Sequence, residues 1–135
     1  MLKLIFIAYT LLVITLSLIP TAIGGSAMYA DKLAHFIAYG GMGFLAYISV
    51  GSVNKRVYLF LLVISLGVVL EFFQLYIPGR SASFVDIMAN TLGAIVGCFI
   101  GWILLAGAFR NVLLDEELSS EDASTNYKDN LKNKP

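Results

Sequence analysis

Four apolar stretches dominate this chain, at about residues 2–19, 33–53, 57–77 and 84–109. Each is close to the roughly 20 residues a helix needs to cross a bilayer. They are too long and too sparsely charged to be the strands or amphipathic helices of a water-soluble domain. Backbone N–H and C=O groups in lipid must pair within their own segment, so helix is the expected conformation. Pro20 closes the first stretch and Pro78-Gly79 the third. The expected fold class is an all-α membrane protein: a four-transmembrane-helix bundle followed by a short disordered C-terminal tail.

The placement of charge supports that division. Charged residues are 13% of the chain, against about 25% in ordinary soluble domains. Up to Phe109 the only ones are Lys3, Asp31, Lys32, Lys55, Arg56, Glu71, Arg80 and Asp86; the rest follow from Arg110 onward. This sets a transmembrane domain at 1–109 and a polar tail at 110–135, with the tail from Leu118 too polar to bury a core. The formal net charge is zero, so bulk charge gives no reason to expect nucleic acid. Gly24-Gly25-Ser26 reads as a loop, residues 51–56 as a tight polar connection and Pro78-Gly79-Arg80-Ser81 as a turn. The small residues Gly24 to Ala27 after the first apolar run also admit a signal peptide. Cys98 lies alone in an apolar run and reads as a small packing residue.

Four spans would put both termini on one side, with Lys3, Lys55, Arg56 and Arg110; the other side would hold Lys32 and Arg80. Counting Lys and Arg near helix ends places the richer side, and therefore both termini, in the cytoplasm. The same topology gathers the polar residues of the spans. Asp31, Lys32 and His35 open the second span, Glu71 and Gln74 close the third, and Arg80, Asp86 and Asn90 lead into the fourth. All would lie at the outer face. Asp31, His35 and Tyr39 recur every four residues and share one helix face, as do Asp86 and Asn90. Gly93, Gly97 and Gly101 continue nearly the same stripe, a spacing that lets helices pack closely, within the bundle or between subunits of an oligomer.

Glu71 is the most constraining of these residues. It lies about 9 Å inside the expected helix end at the rise of an α-helix. A carboxylate facing lipid there would cost a few kcal/mol, on the order of the penalty for other intramembrane charges. It is therefore expected to face the bundle and either pair with Arg80, Lys32 or His35 or hold its proton.

Three motifs in order carry a family resemblance: Asp31-Lys32-Leu33-Ala34-His35-Phe36, then Glu71-Phe72-Phe73-Gln74, then Pro78-Gly79-Arg80 through Asp86-Ile87-Met88-Ala89-Asn90-Thr91-Leu92-Gly93-Ala94. Together they resemble the VanZ-like family of small bacterial membrane proteins, named for a protein associated with teicoplanin resistance. The resemblance implies a bacterial inner-membrane setting and a role in the cell envelope. It does not imply a particular reaction.

Several functions remain open on these residues. In an enzyme acting on a lipid-linked envelope substrate, Glu71, Asp86 and His35 would serve as candidate acid or base groups. Arg80, Lys32, Asp31, Gln74 and Asn90 would hold the substrate, with the two cations suited to phosphate or carboxylate. No nucleophile motif is present; Ser81 and Ser83 sit where turns ordinarily place serines. A binding protein would use the same cluster for a cell-wall precursor, a lipid headgroup or a glycopeptide without chemistry. A proton-relay or transport element ranks below both, and a purely structural network is the plain alternative. A metal held by His35, Asp31, Glu71 and Asp86 is a variant of the enzyme reading, but His35 is the only histidine and has no cysteine near it, so no metal and no cofactor are expected. The partners expected are membrane lipids and a lipid-linked precursor or glycopeptide.

Overall fold

The structure is a computed structural model. It describes residues 1–19, 28–78, 80 and 83–132, with side chains over 1–19, 30–78, 80, 83–116 and 118. Gly24-Gly25-Ser26, the small residues before the second helix, Gly79 and Ser81 lie outside the described residues.

Four helices make up the described chain: α1 (Leu2–Leu18), α2 (Met28–Ile48), α3 (Val53–Gln74) and α4 (Phe84–Lys132). Each matches one apolar stretch, but two are displaced from their expected bounds. α2 begins five residues earlier than 33 and α3 four earlier than 57, because helix propagation is indifferent to the polar residues of a first turn. Asp31 is in that first turn, where a carboxylate is favourable to the helix dipole. Ser52, in extended conformation, precedes α3.

Residues Met1–Trp102 form one compact unit. Within it the helices alternate in direction. At one end Gln74 Nε2 donates to the Ser17 carbonyl at 3.0 Å and Arg80 reaches the Ile19 carbonyl at 3.3 Å. This joins the C-terminal ends of α1 and α3 to the approach to α4. At the other end Arg56 Nε donates to the carbonyls of Tyr47 and Val50 at 3.2 and 3.0 Å, and its guanidinium lies 4.3 Å from the Tyr47 ring centroid. One arginine thereby caps α2 and fixes the tight connection to α3.

The core is narrow. Val13, Tyr39, Met42, Ala46, Val63 and Ala94 are buried together. Close approach of α2 and α4 is possible because glycines line both helices. A Cβ at Gly93 would collide with the Phe36 carbonyl, one at Gly97 with the Gly40 carbonyl, and one at Gly43 with the Ala94 backbone. The glycine stripe is thus occupied by α2 of the same chain. Cys98 belongs to this seam: its Sγ is 3.2 Å from the Gly43 carbonyl oxygen.

Two expectations are corrected. Among the described residues only two helical segments, Val53–Gln74 and Phe84–Glu116, are long and apolar enough to cross a membrane, where four were expected. α1 has 17 residues, about 25 Å of helix against a hydrocarbon core of about 30 Å. α2 includes Asp31, Lys32, His35 and three glycines, which dilute its hydropathy. The tail is the second correction. The chain from Leu118 is helical through Lys132 rather than disordered. Residues 103–135 count as a second unit. Between Gly107 and Pro135 no glycine or proline interrupts the chain, and each residue added to an existing helix gains a hydrogen bond without a new nucleation cost.

Candidate functional site

The polar residues converge at one end of the Met1–Trp102 unit, and most are buried there. Glu71 and Gln74 are each 2% exposed, Asn90 3%, Asp86 4% and His35 8%. Buried polar groups in an apolar body need partners, and the structure supplies most of them across helix boundaries.

Asp86 is in the first turn of α4. Its Oδ1 accepts a hydrogen bond from Lys32 Nζ of α2 at 2.8 Å, an ion pair with the aspartate buried and the lysine partly open to the surface. One turn further, Asn90 Oδ1 lies 3.1 Å from His35 Nδ1. Since that amide oxygen only accepts, Nδ1 is the donor in this contact. The four-residue spacing of both pairs brings two contacts into register: Lys32–Asp86 and His35–Asn90 are successive rungs between the same two helices.

Glu71 was expected to pair with Arg80, Lys32 or His35. Instead its Oε1 accepts the backbone N–H of Ser83 at 2.6 Å. Ser83 stands at the start of α4, its carbonyl accepting from the amides of Asp86 and Ile87. A helix N-terminus presents unpaired amides and a positive dipole end, so Glu71 caps α4 from α3. Its other oxygen, Oε2, is buried without a partner among the described residues, and so is the Tyr39 hydroxyl. The Tyr39 ring lies over Gly67, one helical turn before Glu71 on α3.

Arg80 is turned away from Glu71. Besides the Ile19 carbonyl it reaches that of Leu16 at 3.4 Å, both at the C-terminal end of α1, where a cation is favoured. It also forms a loose ion pair with Asp31 at 3.9 Å. Gln74 likewise serves α1. The eight candidate residues therefore fall in one layer, but as separate pairs and caps rather than one constellation. Arg80 and Lys32, expected to hold a substrate anion, are both already engaged.

A cleft of about 180 Å³ opens beside this layer, lined by Ser17 and Leu16 of α1, Asp31, His35 and Tyr39 of α2, and Arg80. Sites for drug-sized ligands run to about 300–1,000 Å³, so this space suits a headgroup or a few waters. One grouping is three of the four residues weighed as metal ligands from the sequence. Ligand-capable atoms of Asp31, His35 and Asp86 all lie within 4.8 Å of one another. The i, i+4 spacing of Asp31 and His35 signalled half of it; the arrival of Asp86 depends on how α4 packs.

The fold and site define a small helical bundle whose helices bury a layer of ionisable side chains at one end. Residues 6–105 match the VanZ/LLP1 family, and the chain belongs to it. No curated protein and no solved structure matches the chain.

Proposed function

We propose that this protein is a multi-pass protein of the bacterial inner membrane that acts on the cell envelope through the polar layer, at the outer face, with both termini in the cytoplasm. What supports membrane placement is the surface. Beyond the two long apolar helices, α1 exposes Leu4, Ile7, Leu11 and Leu12, and α2 exposes Leu33 and Ile37. An apolar exterior this continuous is what lipid would cover. In this reading all four helices cross the membrane, the shorter α1 by local thinning of the bilayer.

The observation that carries the functional reading is the cleft. It joins exposed Asp31 and half-buried Arg80 to buried His35 and Tyr39, and in this reading it lies at the level of the headgroups. Its size favours the headgroup of a lipid-linked envelope precursor over a whole glycopeptide, so a contribution to teicoplanin resistance would act through the precursor. His35 lines the cleft and is suited to acid–base work there, with Glu71 and Asp86 as the further acid–base candidates in the buried layer beside it. Arg80, Lys32, Asp31, Gln74 and Asn90 shape and charge the site. A second reading, a non-enzymatic scaffold whose polar layer only holds the helices in register, is favoured by the pairwise contacts.

The test is teicoplanin susceptibility of a sensitive bacterium producing the wild type or Glu71→Gln at matched membrane abundance. Reduced susceptibility with the wild type alone is the expected result. Protection by both forms removes acid–base chemistry at Glu71, and protection by neither removes the glycopeptide role.

A further inference from the structure

We propose that Asp31, His35 and Asp86 form a binding site for a divalent transition-metal cation, and that Lys32 is the cation that replaces the metal when the site is empty. This inference rests on the side chains and not on the function proposed above. The three ligand atoms lie within 4.8 Å of one another. Three ligands each about 2.2 Å from one ion stand about 3.6–3.8 Å from one another in tetrahedral or trigonal geometry. The cluster therefore closes on an ion with side-chain shifts of up to about 1 Å, on the order of that difference. Asp31 is free to make the shift: it is largely exposed and its loose contact with Arg80 spans 3.9 Å.

The histidine is prepared for this role. Metal-binding imidazoles usually donate their second ring N–H to a carbonyl or carboxylate, which fixes the tautomer and orients the ring. His35 does so, with Nδ1–H directed at Asn90 Oδ1 at 3.1 Å. With Nδ1 so engaged, Nε2 of the neutral ring is the nitrogen available to an ion. One imidazole with two carboxylates is a mixed nitrogen and oxygen set suited to Zn²⁺ or Mn²⁺ more than to Mg²⁺. Three protein ligands leave at least one position open, as in sites where a metal binds water or substrate.

A second observation concerns the balance of charge at this end of the bundle. Glu71 Oε2 is buried and without a partner among the described residues, and Glu71 caps the first turn of the helix that carries Asp86. Gathering the Asp31 and Asp86 carboxylates at one imidazole favours a cation among them. Lys32 supplies one charge, 2.8 Å from Asp86 Oδ1. Its side chain is 23% exposed, and a lysine stem at a helix end can carry its ammonium outward to the interface. A divalent ion would then take its place on Asp86.

The experiment is titration of the full-length protein, purified in detergent and stripped with a chelator, with Zn²⁺ alone, followed by calorimetry and by thermal unfolding. The wild type should bind about one equivalent and unfold at a higher temperature with the ion present. His35→Gln and Asp86→Asn should each weaken binding at least about tenfold. Lys32→Met should bind more tightly than the wild type, a gain that misfolding cannot imitate. The proposal is overturned if the wild type shows no saturable site, if binding is indifferent to both ligand substitutions, or if Lys32→Met binds no more tightly.

Discussion

The Glu71 carboxylate accepts the Ser83 backbone amide at 2.6 Å, so a side chain near the end of α3 caps the first turn of α4. A carboxylate buried in an apolar bundle is tolerable here because a helix N-terminus faces it. The contact also brings Asp86, three residues beyond Ser83, to the level of Lys32 and Asp31.

The cap sets the first stability prediction. Glu71→Gln keeps an acceptor for the Ser83 amide, while Glu71→Ala leaves that amide without one and opens a cavity. The alanine variant should lose about 1–3 kcal/mol more than the glutamine variant. Thermal or denaturant unfolding in detergent measures the difference. Equal stability of the two would show that the Ser83 contact contributes nothing.

The glycine seam makes a sharper contrast. A Cβ at Gly97 meets the backbone of Gly40, which cannot yield, whereas one at Gly107 meets open space. Gly97→Ala should cost about 1–3 kcal/mol through overpacking. Gly107→Ala should be neutral or stabilising by up to about 1 kcal/mol through helix propensity. Membrane abundance and unfolding midpoint report both, and a harmless Gly97→Ala would contradict the packing of α2 on α4.

Lys32 and Asp86 should be coupled. A double-mutant cycle with Lys32→Met and Asp86→Asn in metal-free protein is expected to return about 1 kcal/mol, within the range of polar contacts between membrane helices. Each single change leaves a partner unpaired, so the double variant should lose less than the sum of the singles. Strict additivity would mean the ion pair has no energetic role.

The long α4 can be checked by truncation. Deleting residues 119–135 should lower the helical circular dichroism of the protein, because Ser119 to Lys132 are helical. The unfolding midpoint should change little, since the compact unit ends at Trp102. Unchanged helical signal after truncation would return the tail to a disordered state.

Much of this fold is readable in the chain. The lengths of the apolar stretches and the proline that ends the first announce four helices, and i, i+4 spacing puts Asp31 with His35 and Asp86 with Asn90. The tail was misjudged because polarity argues against a buried core but says little about whether a helix already begun will stop. The family followed from three motifs whose order is local information.

Partner choice was not readable. Nothing in the spacing shows that Glu71 would take a backbone amide instead of Arg80, or that Arg80 would cap α1. Those outcomes depend on where helix ends meet, and free amides and carbonyls at helix ends are invisible to a reading of side chains. The sequence by itself determined which residues share a helix face and which end of the bundle holds the charge, because both follow from periodicity and alternation of direction. Only the tertiary structure decided the pairings. The glycines of α2 and α4 bring those helices close enough for Lys32 to meet Asp86 and His35 to meet Asn90, and at such range a single helical turn of displacement would exchange every partner.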